Sequence, residues 1–161
     1  MTATISRPKI SNWETSNIPN LTGKTALITG ANSGLGYYTA KALAEKNAHV
    51  VIACRSLEKA NQTIKKLKGL NPEGLFTPLE LDLSDLKNIV EVQSKIFDNF
   101  ENLDLLINNA GIMHPPKTLS AQGYEIQFAV NHLAHMLLTL KLLPIIEKKE
   151  ESRIVTVTSG A

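Results

Sequence analysis

Short apolar runs rich in β-branched residues alternate along the chain with longer stretches in which apolar positions recur every three or four residues. The runs Thr25–Thr29, His49–Cys54, Leu75–Leu81, Leu103–Asn108 and Arg153–Val157 predict strands. Leu35–Lys46, Leu57–Lys68, Asp85–Phe100 and Gln122–Leu143 predict helices between them. Strands that are apolar on both faces need cover on both faces. The pattern therefore predicts an α/β fold, a doubly wound parallel sheet with helices on both faces.

The punctuation agrees with this division. Ser84 is the expected cap of the third helix, and Asn71-Pro72 with Gly74 marks the turn after the second. Pro144 cannot donate an interior helical hydrogen bond, so the fourth helix is expected to kink or end near it. Residues 1–20 lack periodicity and read as a surface arm with Trp13 as its one large anchor, leaving 21–161 as a single domain. The chain stops four residues past the last apolar run, with no helix to follow it. It is expected to be the amino-terminal part of something longer, its sheet lacking carboxyl-terminal strands.

Composition narrows the function classes. The 161 residues are 43% hydrophobic and 20% charged with a formal net charge of +2, which excludes disorder and a polyanion-binding tail. Lys65, Lys66 and Lys68 cluster on a predicted helix as a solvated face, and no nucleic-acid partner is expected. Cys54 is the single cysteine and no signal-like start is visible, so the expectation is a cytoplasmic protein. Leu133–Ile146, the most apolar stretch, is interrupted by His135, Lys141 and Pro144, and no membrane span is expected.

The candidate chemistry begins at Thr29-Gly30-Ala31-Asn32-Ser33-Gly34-Leu35-Gly36, between the first strand and the first helix. Gly30 permits a tight turn, and Gly34 and Gly36 let backbone approach a pyrophosphate lodged on the helix amides. Three glycines alone would equally suit an ordinary loop. The strand before and the helix after make a dinucleotide-binding Rossmann domain the better reading. An NAD-preferring site needs an acidic residue about 20 positions on; here Arg55 stands 19 residues after Gly36. Its guanidinium suits a 2′-phosphate, so NADP is the expected cofactor, the competing account being a solvated surface arginine.

Together with later motifs, these residues resemble the short-chain dehydrogenase/reductase family, in its retinol-dehydrogenase-like branch. The motifs are Thr29–Gly36 (TGxxxGxG), Ala53-Cys54-Arg55, Leu81-Asp82-Leu83, Asn108-Asn109-Ala110-Gly111, Asn131 within Val130-Asn131-His132-Leu133, and Arg153–Ser159. The resemblance implies an NADP-dependent oxidoreductase that interconverts an alcohol and a carbonyl, with a lipophilic small molecule as substrate. It implies cofactor contacts from Gly30, Asn32, Ser33, Gly34, Leu35, Gly36, Arg55, Asp82, Leu83, Asn109, Ala110 and Gly111. It implies catalytic roles for Asn131, which holds a water in a proton relay, and Ser159, which bonds the substrate carbonyl. Similar enzymes pair through the helix matching Gln122–Leu143, which implies a homodimer or homotetramer.

Plainer readings stand beside these. Asp82 can end a strand, and Asn108 and Asn109 can satisfy backbone in a turn. Asn131 is a poor mid-helix residue, and that mismatch points toward function. The similar enzymes place a tyrosine, and a lysine four residues later, after the serine; here only Gly160 and Ala161 follow. Tyr37 and Lys41 have that spacing, but on the helix beside the glycine turn, where packing accounts for them. The segment alone is therefore expected to be nearly inactive. A non-catalytic NADP-binding sensor or interaction module is the alternative; a nucleotide-sugar epimerase is disfavoured by the glycine spacing. His132 and His135 lie three apart and His114 follows Gly111, yet no third ligand sits nearby and no metal is expected.

Overall fold

The computed structural model describes residues 12–159. The arm assigned to 1–20 thus lies partly outside the described residues, as do Gly160 and Ala161. Five strands, β1 (Thr25–Thr29), β2 (His49–Cys54), β3 (Leu75–Glu80), β4 (Leu105–Asn108) and β5 (Arg153–Thr156), form one parallel sheet in the order β3-β2-β1-β4-β5. Helices α1 (Gly34–Ala44), α2 (Leu57–Leu70), α3 (Leu86–Asn99), α4 (Ile126–Phe128) and α5 (Ala134–Ile146) connect them, with a π-helical stretch at Ala129–Leu133 joining α4 to α5.

Alternation along β1 and β2 divides the core in two. Leu27, Val51 and Ala53 face Ile89, Val92 and Ile96 of α3 and Ala134, Leu138 and Leu142 of α5. Ala26, Ile28, Val50 and Ile52 face Ala40, Leu43 and Ala44 of α1 and Ala60 and Leu67 of α2. Period-2 side-chain direction thus turns continuous apolar runs into two buried surfaces. The expectation of two-sided cover fails at β5, whose four residues are all exposed.

Several local expectations are corrected. Asp85 caps α3, its carboxylate accepting from Lys87 N at 2.9 Å, while Ser84 instead donates its hydroxyl to Asp82 Oδ1 at 2.7 Å. Trp13 is largely exposed; Leu21 packs against the α1–α2 core, and Asn20 accepts from Asn47 Nδ2 at 3.0 Å. The expected helix Gln122–Leu143 begins four residues later, because Glu125 accepts from the amides of Gln127 and Phe128 at 3.0 and 2.8 Å. Pro144 lies inside α5, which ends two residues beyond it, in keeping with the expected end near the proline. The stretch Ile126–Ile146, 21 residues, is long and apolar enough by length and composition to cross a membrane, unlike the shorter run weighed from sequence. Here it lays Ala134, Leu138, Leu142 and Ile145 against the core.

The caps carry a pH dependence. Hydrogen bonding from Gln122 and then the Lys87 amide holds the Asp85 carboxyl below its ordinary value, and the Gln127 and Phe128 amides do the same for Glu125. A depressed carboxyl favours the folded form above its ordinary pKa, so both caps weaken as pH falls through the acid range.

At the amino ends of the strands, buried Asp104 joins β1 to β4. One oxygen lies 3.0 Å from Lys24 Nζ, and the other accepts from Thr25 N and Asn102 Nδ2, each at 2.9 Å. Asp104→Ala leaves those donors without their acceptor and is expected to cost about 2 kcal/mol, whereas Asp104→Asn, which keeps an acceptor, costs about half as much. Urea unfolding of the two variants checks the ratio.

Candidate cofactor site

An open cleft of about 810 Å³ lies at the carboxyl ends of the strands, within the roughly 300–1,000 Å³ usual for small-molecule sites. It straddles β1 and β4, where the strand order reverses, the position at which open α/β sheets bind ligands. Its lining gathers Gly30, Asn32, Ser33 and Leu35 from the glycine turn, Arg55 past β2, Asp82 and Leu83 past β3, and Asn109, Ala110 and Gly111 past β4.

The glycine turn is built against the segment after β4. Gly30 has φ +66°, and a Cβ there would stand 2.9 Å from Ala110 Cα. At Gly36 a Cβ would stand 2.5 Å from both Asn109 Nδ2 and Gly30 O. Asn109 Nδ2 donates to Thr29 O at 2.9 Å, so the plain account of this residue, satisfying backbone in a turn, describes what its side chain does. Gly34 and Gly36 belong to the first turn of α1 and are not themselves cleft lining.

Ser33 is the N-cap residue of α1, yet its side chain makes no capping bond, whereas α2, α3 and α4 are capped by Ser56, Asp85 and Glu125. The amides of an 11-residue helix thus meet the cleft without a side-chain acceptor, the condition under which a helix start receives phosphate.

Two cations stand at the far end. Arg55 and Lys59 are exposed and line the same cleft, four positions apart across the start of α2. Lys59 was not picked out from sequence; its i+4 spacing from Arg55 was the available signal. Asp82 is the one carboxylate among the described lining residues, and its Oδ1 is occupied by the amide and hydroxyl of Ser84 at 2.9 and 2.7 Å. Further lining not singled out from sequence includes Thr118, Leu119 and Val157.

Cys54, beside Arg55, is buried. Burial pushes its thiol up to about 11, outweighing the opposing influences of Lys59 and the Asn32 backbone. The thiolate is therefore scarce at pH 8, and alkylation by iodoacetamide is expected to run roughly 100-fold slower than for an exposed cysteine. A thiol-modification time course reads this directly.

The two residues given catalytic roles lie at the cleft's margin. Asn131 sits in the π-helical stretch, and its side chain bonds the amide and carbonyl of Ile112, both at 2.9 Å. Ile112 lines the cleft; Asn131 does not. Ser159 follows β5 two residues beyond Val157, which does. Tyr37 packs at the edge of the α1–α2 core and Lys41 pairs with Glu45 at 3.2 Å, so neither is directed to the cleft. His132 stacks on Phe128 while His135 is buried against Thr29, so the two histidines have different partners. Among the described residues no three His, Cys, Asp or Glu side chains gather as a metal set.

The sequence model of short chain dehydrogenases matches residues 24–161, the whole sheet and every lining residue of the cleft. The chain belongs to the short chain dehydrogenase family. Relatives within the short chain dehydrogenases include human retinol dehydrogenase 13, 42% identical over 139 residues, covering 86% of this chain and 42% of the relative. Human retinol dehydrogenase 11 is 39% identical over 155 residues, covering 96% of this chain and 49% of the relative. Among solved structures, a metagenomic short-chain oxidoreductase in complex with NADP superposes with a TM-score of 0.76 at 26% identity, covering 88% of this chain and 65% of that one. An uncharacterised protein from Mycobacterium paratuberculosis gives 0.74 at 38% identity, covering 84% and 47%. The chain therefore spans about half the length of the curated short chain dehydrogenases it matches, or somewhat less.

Proposed function

We propose that the whole protein is an NADP-dependent oxidoreductase that interconverts an alcohol and a carbonyl on a lipophilic small molecule. The observation that carries the cofactor choice is the pair Arg55 and Lys59 at the end of the cleft, where an NAD-preferring site would hold a carboxylate. The amides at the start of α1 would hold the pyrophosphate, Asp82 and Leu83 the adenosine end beside Arg55, and Asn109–Gly111 the nicotinamide end. Bound there, the coenzyme supplies hydride transfer. The chain's own residues orient it: the glycine turn receives phosphate, and the 109–111 segment walls the ribose. Ser159 holds the substrate oxygen and Asn131 a water near it.

The NADP complex among the solved relatives supports the cofactor, and the retinol dehydrogenases among the curated relatives support a lipophilic alcohol or aldehyde. Exposed Phe128, Met136 and Leu140 along α4 and α5 support self-association as a dimer or tetramer.

The cleft lining contains no tyrosine. The 161-residue chain should accordingly bind NADPH with turnover at least about 100-fold below that of a full-length short chain dehydrogenase. Incubating the gene product with NADPH and a panel of lipophilic aldehydes and ketones tests the assignment. Cofactor binding without turnover of any carbonyl would favour the sensor or interaction-module reading, and absence of binding would remove both.

A further inference from the structure

The buried Thr29 hydroxyl, at the end of β1, is approached by more groups than it can serve in arbitrary protonation states. It receives the amides of Asn109 at 2.9 Å and Ala110 at 3.0 Å, which fill both lone pairs of the oxygen. His135 Nε2 stands 2.9 Å away, and the Ile107 carbonyl a longer 3.4 Å. A proton on Nε2 would be a third donor to an oxygen with no lone pair left. The hydroxyl must therefore donate to Nε2, which leaves the ring proton on Nδ1, facing Asn131 O at 3.3 Å. Desolvation of the buried imidazole lowers its pKa, in keeping with a ring that stays neutral.

Those contacts close on themselves. From Thr29 the path runs through His135 to the Asn131 backbone, through the Asn131 side chain to Ile112, and along the chain to Ala110 and Asn109, which return to Thr29. We infer that His135 is a positioning residue which, as the Nδ1–H tautomer accepting the Thr29 hydroxyl proton, closes this ring and fixes the 109–112 turn for the dinucleotide. The ring itself needs no ligand; its effect on affinity rests on the NADP reading above.

Phe tests the contact because it keeps the ring shape without polar atoms. Gln tests it because its amide oxygen can reach the position of Nε2 and accept from Thr29. Long-range proton–nitrogen correlation on the ¹⁵N-labelled protein should report His135 with hydrogen on Nδ1 and none on Nε2. Amide exchange at Asn109 and Ala110 should quicken by about tenfold or more in His135→Phe and return toward the original rate in His135→Gln. NADPH affinity should fall by about tenfold in the first variant and recover in the second.

An Nε2–H tautomer overturns the inference, as does a folded His135→Phe with unchanged exchange at the two amides. A His135→Gln that matches His135→Phe in exchange while melting like the original protein also overturns it, because packing alone would then explain the site. Failure of the unmodified protein to bind NADPH overturns the cofactor reading instead. The imidazole signals and the exchange rates, recorded without nucleotide, keep the two failures apart.

Discussion

NADPH affinity falls about a hundredfold when Arg55 and Lys59 are both replaced by serine, while NADH affinity changes by less than about threefold. Each side chain can give a charge-assisted hydrogen bond to a 2′-phosphate, worth about 1.5–3 kcal/mol, and a 2′-hydroxyl offers neither the same charge nor as many acceptors. Arg55→Ser alone should carry the larger share, because its planar fork bonds two oxygens at once whereas Lys59 acts as a point charge. Fluorescence titration with both coenzymes, on the single and double variants, reads the two affinities separately. Equal loss for both would mean that the pair acts through folding of the β2–α2 junction, and the assignment of coenzyme would fail. Raising ionic strength should compress the NADPH advantage in the original protein and do little in the double variant.

The second large effect is structural. Gly36→Ala places a methyl group 2.5 Å from the Gly30 carbonyl oxygen, a backbone atom, and equally close to the Asn109 amide. Neither neighbour can yield without separating α1 from the turn or tearing Asn109 from Thr29. The expected cost is about 3 kcal/mol or more, a large part of a typical domain's 5–15 kcal/mol. Gly69 supplies the control: it lies exposed in α2, and a Cβ there would meet nothing within 4 Å. Gly69→Ala should stabilise by about 0.5–1 kcal/mol through helix propensity alone. Opposite signs in urea melts of the two variants distinguish close approach from mere backbone freedom; a neutral Gly36→Ala would contradict the geometry of the turn.

The sheet was legible because runs such as Val50-Val51-Ile52 are apolar at every position, which only a strand covered on both faces tolerates. The glycine turn was legible from its spacing, whereas the apolar pattern alone carries no order of strands. Helix ends were less legible because their caps are decided by competition. Ser84 and Asp85 are both good caps, but Asp82 takes the serine, leaving aspartate for the helix. The break at Ala129–Leu133 left no trace in the apolar pattern, since a π-helical stretch shifts the register without changing which residues are apolar. Asn131 was the one hint, as a polar residue where a helix prefers none. His135 was weighed beside His132 as a metal pair and set aside, and its real role stayed hidden because spacing gives direction along a helix but not the partner across it. Its partner, Thr29, lies 106 positions earlier.

That separation also bears on how the molecule comes into being. Pairing of β2 with β1 and β3 needs only short connections and can proceed once the first 80 residues exist. β4 joins β1 across about 80 residues of intervening chain, in the register Ala26 to Leu105. Closing so long a loop is the slow kind of event in folding. The glycine turn therefore waits, half made, until β4 brings the segment carrying Asn109 to its other side. On a ribosome, nucleotide capture would mark the late docking of the second half onto the first, and adding coenzyme to a refolding chain should act mainly on this last step.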